Sequence, residues 1–356
     1  MARIHTLFAT VLASGLVLAG ACKKDEKKAE PAASDKKATD SKVAEKPADT
    51  KTDKPGVAPT GQAADDLSLL PVDSEAVMGI NFAQLQSSAL WKKFVEPQLM
   101  KGDFPSKLAQ FKGKCGFDPM AAIKSLSIGM KGVGGDSPDG VIVVRGAGKK
   151  ESLDCFDKMK DEASKSGDEI TRDGDVVLVK SKKGETVAIT FVNDTTAVAV
   201  VGPNASKDGV KKAAQGGSAL KSSPAFVEMY GKINTQASLW MLINGNAKVF
   251  DKAASMGVKP KAVFGSVNVT DGLAVDMRMR LESADQATQM ANAFNGQLAG
   301  FKSMVDKMEI GNDGADVKLS VAMSQQKLEA LVKNLMGMFG GMGGPGGPGG
   351  MGGGTP

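Results

Sequence analysis

The clearest pattern in the chain is the alternation over residues 273–281. Val275, Met277, Met279 and Leu281 fall on one side of an extended strand, and Asp276, Arg278 and Arg280 on the other. The same period of two runs through Val317, Leu319, Val321 and Met323. Strands with one apolar and one polar face belong to antiparallel sheets covered on one side. From Leu67 onward the pattern predicts a strand at 74–81 and a helix at 82–99 that Pro97 ends or kinks. A short helix at 105–112, strands at 124–130 and 140–145 and a helix at 150–164 follow. Asp173-Gly174 joins strands 168–172 and 175–181 in a hairpin, and Asn193-Asp194 joins 186–193 and 195–201. Residues 206–215 read as a helix.

The order then repeats. A strand at 237–244, a helix at 246–256 and a hairpin of 261–269 with 273–281 through Asp271-Gly272 match the opening of the first half. A long helix at 283–305, a hairpin through Asn312-Asp313-Gly314 and a helix at 325–338 complete the second. Val77–Asn81 (VMGIN) echoes Leu239–Asn244 (LWMLIN), and GDEITRDGDVVLV echoes DKMEIGNDGADVKLSV. The expected fold is therefore α+β, with two related halves, 67–216 and 217–339, a mainly antiparallel sheet and helices packed on one face. The first half holds one extra hairpin. A bridging helix at 221–232 has Ser223 as its N-cap and Pro224 at the first helical position.

Both ends of the chain differ from this pattern. Residues 7–21 are apolar except Thr10 and Ser14, follow Arg3, and end in small residues. That is a secretory signal peptide spanning 1–21, and its run of about 15 residues is shorter than the roughly 20 a spanning helix needs. Residues 22–66 mix Lys, Asp, Glu, Ala, Pro and Thr with few large apolar side chains, the composition of a disordered tether with a reach of about 40 Å. Residues 340–356 are Gly, Met and Pro up to Thr355, and cannot make a core.

The junction Leu18-Ala19-Gly20-Ala21-Cys22 resembles the lipobox of bacterial lipoproteins. The family favours Leu three residues before the cysteine, where this chain has Ala19 and places Leu18 one position earlier. The resemblance implies cleavage before Cys22 and acylation of its thiol, hence a lipid-anchored protein of the cell envelope. With Lys23 rather than Asp next, it implies the outer membrane over the inner. The other reading of the same residues is ordinary cleavage at Ala19-Gly20-Ala21, which leaves Cys22 as an exposed thiol.

Composition narrows the chemistry. The single histidine, His5, lies in the signal segment, so the mature chain has no imidazole for acid–base, nucleophilic or metal chemistry. The net charge of +5 is scattered, with no basic stripe for nucleic acid. Cys115 and Cys155 read most simply as a disulfide outside the cytoplasm; two buried thiols or a redox pair are the alternatives, the latter without CxxC spacing. Residues 141–151 have the strand–glycine–lysine–helix order of a phosphate loop but not GxxxxGK[ST]. Ser218/Lys221, Ser266/Asn268 and Lys165–Gly167 have the spacing of a Ser-Lys hydrolase in the wrong chain order. Asp65-Asp66 and Asp154/Asp157 are acidic pairs outside any calcium-loop pattern. The many methionines (Met229, Met241, Met277, Met279, Met290, Met308 and Met323 among them) suit a core or a pliable apolar pocket. The expectation is a non-enzymatic binding or envelope-structural module with no cofactor and no metal. Membrane is engaged through Cys22, and a protein or apolar ligand through a groove between the halves. The alternatives are a carrier of an apolar small molecule or lipid, and a histidine-independent hydrolase.

Overall fold

The computed structural model describes residues 65–135, 138–216, 219–251 and 257–331. The signal segment, Cys22, the tether up to residue 64 and the 340–356 tail lie outside the described residues. The first half contributes β1 (Ala76–Asn81), β2 (Ser125–Lys131), β3 (Asp139–Arg145), β4 (Glu169–Asp173), β5 (Val176–Lys180), β6 (Thr186–Asn193) and β7 (Thr196–Val201). The second half contributes β8 (Leu239–Asn244), β9 (Ala262–Val269), β10 (Leu273–Arg280), β11 (Lys307–Asp313) and β12 (Asp316–Met323). The helices used below are α1 (Phe82–Ser87), α2 (Phe104–Cys115), α3 (Lys149–Ser166), α4 (Lys207–Gln215), α5 (Pro224–Tyr230) and α6 (Ala284–Gln297).

Among the described residues, all twelve strands join one sheet in the order β11-β12-β10-β9-β8-β1-β2-β3-β7-β6-β5-β4. Every neighbouring pair is antiparallel. The fold is thus α+β with a dominant antiparallel sheet. The two halves meet at β1 and β8, where Met78 sits opposite Met241. Aligning the strand echo on Asn81 and Asn244 makes those same two methionines sequence equivalents, so a local two-fold axis passes through the pair. Outward from the seam, β1-β2-β3 mirrors β8-β9-β10, and β5-β4 mirrors β12-β11. The expected extra hairpin is β6-β7, wedged between β3 and β5.

The helices pack on both faces of the sheet, not on one. Val176 packs with Val210 of α4, whereas its neighbour Val177 packs with Leu153 and Phe156 of α3, and adjacent residues of a strand point to opposite faces. The physical reason lies in strands such as Val176–Lys180 (VVLVK) and Thr196–Val201 (TAVAVV). They are apolar on both sides, and each side needs cover. One face carries the main core, built by Leu67, Leu70, Val77, Val143, Val198, Trp240, Leu242 and Phe264 under α4 and α5. Here Gly79 is required: a Cβ on it would lie 2.0 Å from Trp240 Nε1. Trp240 in turn meets Tyr230 edge-on at 5.2 Å, and Tyr230 stacks on Phe226 at 5.5 Å. The other face carries α3 over β4–β6 and α6 over β11–β12.

Three helices differ from the pattern-based expectation. The 82–99 helix breaks at Ser88, whose backbone is extended and whose Oγ accepts from Trp91 N at 3.1 Å. The chain restarts as a π turn, Trp91–Val95, before Glu96–Leu99. The 283–305 helix is α6 followed by a 3-10 segment, Ala299–Met304. In the 246–256 region Lys248–Phe250 forms one 3-10 turn, and residues 252–256 lie outside the described set. Ser223 caps α5 as expected, accepting from Phe226 N.

Candidate ligand-binding cleft

Pseudo-symmetry places the site. Arg145 ends β3 and Arg280 ends β10, and the matched register of the two halves makes them equivalent. Each arginine is followed, at the same spacing, by the N-cap of a helix: Gly148 for α3 and Ser283 for α6. The buried faces of the two helices then coincide, with Ser152 matching Ala287 and Phe156 matching Ala291. On this alignment Met290 of α6 stands where α3 has Cys155.

The surroundings of those two positions differ. Cys155 is disulfide-bonded to Cys115, the last residue of α2, with Cα atoms 4.6 Å apart. A second link between α2 and α3 is the Lys114–Glu162 ion pair. Helix α2 starts with Pro105 in its first turn and stops at Gly116, whose φ of 79° is a left-handed cap. It belongs to the long β1–β2 connection, residues 82–124. The equivalent β8–β9 connection is only residues 245–261. In the second half the corresponding side of α6 opens onto a cleft of about 1010 Å³. Leu281, Val258, Pro260 and Met290 supply its apolar surface, and Gln286, Gln289, Asn246 and Lys259 its polar groups.

The chemistry of the cleft is mild. Gln286 N donates to Ser283 Oγ at 3.2 Å, and Gln286 Oε1 accepts from Glu282 N at 3.2 Å, so the start of α6 is capped by its own side chains. Lys261 and Glu282 form an exposed ion pair at 2.7 Å on the rim. Lys259 has no ion-pair partner among the described residues. A smaller cavity of about 540 Å³ lies at the start of α3, lined by Lys149, Lys150, Leu153, Asp154 and Arg172. Its cations are already engaged by Asp175, Asp154 and Asp157 respectively, which leaves no open charge to offer an anion.

The two equivalent arginines each grip a buried aspartate on the opposite face of the sheet. Arg145 Nε donates to Asp66 Oδ1 at 2.7 Å, and Ser127 Oγ donates to Asp66 Oδ2 at 2.6 Å. Burial pushes the Asp66 carboxyl up, and these hydrogen bonds do not fully offset it. Arg280 Nε donates to Asp316 Oδ1 at 2.7 Å, and Lys232 Nζ donates to Asp316 Oδ2 at 2.7 Å. Burial also pushes Asp316 up, but hydrogen bonds from Arg280 and Lys232 outweigh it and hold the carboxyl below the usual range. Arg280 further clamps Glu228 of α5 through two bonds of 2.9 Å, and hydrogen bonding from Arg280 lowers the Glu228 carboxyl. The Asp66 pair pins the segment ahead of β1 to the end of β3; in the second half Glu228 ties α5, ahead of β8, to the end of β10, and Asp316 ties the start of β12 to Arg280 and Lys232.

The sequence candidates are distributed as follows. Cys115 and Cys155 are joined. Asp66 belongs to the Arg145 pair, Asp154 pairs with Lys150, and Asp157 pairs with Arg172 and Lys160. Ser266 faces the Trp240 side of the sheet, and Lys165–Gly167 ends α3 on the other side, so these two do not converge. Asn268 accepts from Gln84 Nε2 at 2.8 Å, and Ser218 lies outside the described residues. In the 141–151 loop, the Glu151 side chain folds against Gly148 where a phosphate would need to sit. The seam between the halves is a hydrogen-bonded strand pair, and the cleft lies within the second half. Sequence reasoning missed the Arg145/Arg280 equivalence and the α6 cleft. The usable signal was the unequal length of the two first connections, 82–124 against 245–261. No protein family, curated protein or solved structure matches the chain.

Proposed function

We propose that the protein is a lipid-anchored, extracytoplasmic binding module of the bacterial cell envelope. It is held by acyl chains on Cys22, at the outer membrane rather than the inner, and it works by binding rather than by turnover. The observation that carries the binding reading is the α6 cleft, on the side of α6 that carries Met290, the equivalent of the α2-bonded Cys155. The Cys115–Cys155 disulfide supports an oxidising compartment, and the lipobox-like junction supports the anchor. A second reading, a carrier of an apolar small molecule or lipid, draws on Leu281, Val258 and Met290 in the cleft lining.

The test is a native mass spectrum of the protein extracted from its own membrane in mild detergent. A chain beginning at a lipid-modified Cys22, alone or with a second protein bound, is the expected result. A reproducible extra small-molecule mass moves the reading to the carrier. An unmodified chain beginning at Cys22 overturns the anchor.

A further inference from the structure

We propose that the α6 cleft seats an amphipathic helix from a partner protein, in the place that α2 takes against α3; the proposal rests on reading this cleft as the binding site. The first half shows what such a seat accepts. Helix α2 buries Leu108, Phe111 and Cys115, spaced by three and four residues along one stripe, and Cys115 lies directly on Cys155. Met290 holds the position of Cys155 and lines the cleft.

The side chains around Met290 favour the same conclusion. On the face that α3 presents, Glu151, Asp154, Lys158 and Glu162 are charged; their equivalents on α6 are Gln286, Gln289, Ala293 and Gln297. The only charged residue of α6 is Asp285, in the first turn. Helix faces turned to water carry charges, and loss of charge marks the centre of protein interfaces. Ala293 and Gly296, both exposed, lie close together on the helix and let another backbone approach. An acyl chain needs an enclosed apolar sleeve, whereas an open groove with an apolar floor and amide walls suits a helix laid along it. The partner helix offers apolar residues at i, i+3 and i+7, the stripe that Leu108, Phe111 and Cys115 form on α2.

The probe is a synthetic peptide of residues 104–115, FPSKLAQFKGKC, with its cysteine activated as a mixed disulfide with thionitrobenzoate. The protein is the full-length acylated chain in mild detergent carrying Met290→Cys, compared with the parent chain and with Val192→Cys, which places a thiol at a residue 43% exposed in the other half. The introduced thiolate attacks the peptide sulfur, a protein–peptide disulfide forms, and thionitrobenzoate leaves with the electron pair and is counted by its absorbance. A seated peptide raises the local concentration, so exchange at position 290 is expected to run roughly tenfold or more faster than at 192. That gain should vanish when the peptide's two positions matching Leu108 and Phe111 are serine. Gln289→Cys, one residue along and exposed, serves if Met290→Cys does not fold. Equal rates at the two sites, or a gain that survives the serine peptide, overturns the helix seat. Equal rates together with an extra lipid mass on the wild-type protein leave the cleft as a binding site and make its occupant a lipid. Equal rates with neither lipid nor protein bound in the native spectrum sink the binding-site reading as well.

Discussion

Replacing Arg280 by methionine tests the ion-pair pinning of the second half. Arg280 donates to both oxygens of Asp316, at 2.7 and 3.0 Å, and to both oxygens of Glu228 at 2.9 Å. The Asp316 side chain is 1% exposed. Glu228 is exposed and regains water when Arg280 is removed, so its loss is small. Asp316 cannot regain water. Removing one partner of a buried pair costs about 3–5 kcal/mol, and the remaining Lys232 bond of 2.7 Å places this case near the lower end. A loss of about 3 kcal/mol at neutral pH lowers Tm by about 6–12 °C for a domain of this size. The assay is thermal unfolding followed by far-ultraviolet circular dichroism with the disulfide intact. The sign of the pH dependence follows from Asp316, whose folded pKa is depressed below 3.8. Its contribution is present above that value and lost as pH falls through the folded pKa, so wild type and Arg280→Met should converge below about pH 4. The double variant Arg280→Met/Asp316→Leu removes the stranded charge and should recover much of the loss. A cost under about 1 kcal/mol for Arg280→Met, or a double variant less stable than the single one, refutes this account of the pair.

Three further outcomes are expected. Tyr230 is the only tyrosine, and burial pushes its hydroxyl up to about 12; its phenolate absorbance should therefore appear near pH 12 in the folded protein, and ionisation near pH 10 contradicts the burial. Because the folded pKa is raised, the associated stability is intact below pH 10 and is lost between about pH 10 and 12. Gly79→Ala places a Cβ against the Trp240 ring and should cost about 1–3 kcal/mol or more by overpacking, read by denaturant titration of Trp fluorescence; an unchanged midpoint refutes the close approach. Replacing Cys115 and Cys155 by serine opens a loop with a sequence separation of 40 and should cost about 4 kcal/mol in the chain-entropy model, measured by urea unfolding against the oxidised protein.

Strand order along the chain was legible because Asp173-Gly174, Asn193-Asp194 and Asp271-Gly272 sit between extended runs, and such turns tie neighbouring strands together. The duplication was legible for the same reason, and it correctly counted one hairpin too many in the first half. Where that hairpin inserts was not legible, since β3 pairs with β7 across an intervening helix and three strands, β4 to β6. Helix placement misled because the pattern of β10 and β12 was extended to the whole sheet; Val176–Lys180 shows no such alternation and is covered on both sides. The break at Ser88 arises from a side chain that caps the following turn, an effect hidden within an otherwise helical run. The cleft was signalled by the unequal connections 82–124 and 245–261, but the side of α6 on which it opens follows from the register that aligns Met290 with Cys155.

The β1–β8 seam has a consequence for the order in which the molecule assembles. Within each half, every strand finds its neighbours from its own half, but Ala76 must find Ile243 across the whole of the first half. Such a distant pairing forms late, after the local contacts have made it worthwhile. Until β8 arrives, β1 is an edge strand, AVMGIN, with apolar residues on both faces and no charge to discourage a wrong partner. The notch at Gly79, shaped to receive Trp240 from β8, distinguishes the proper strand from any other that reaches this edge. The place where the two halves join is therefore also where the folding chain is most exposed to pairing with a second copy of itself.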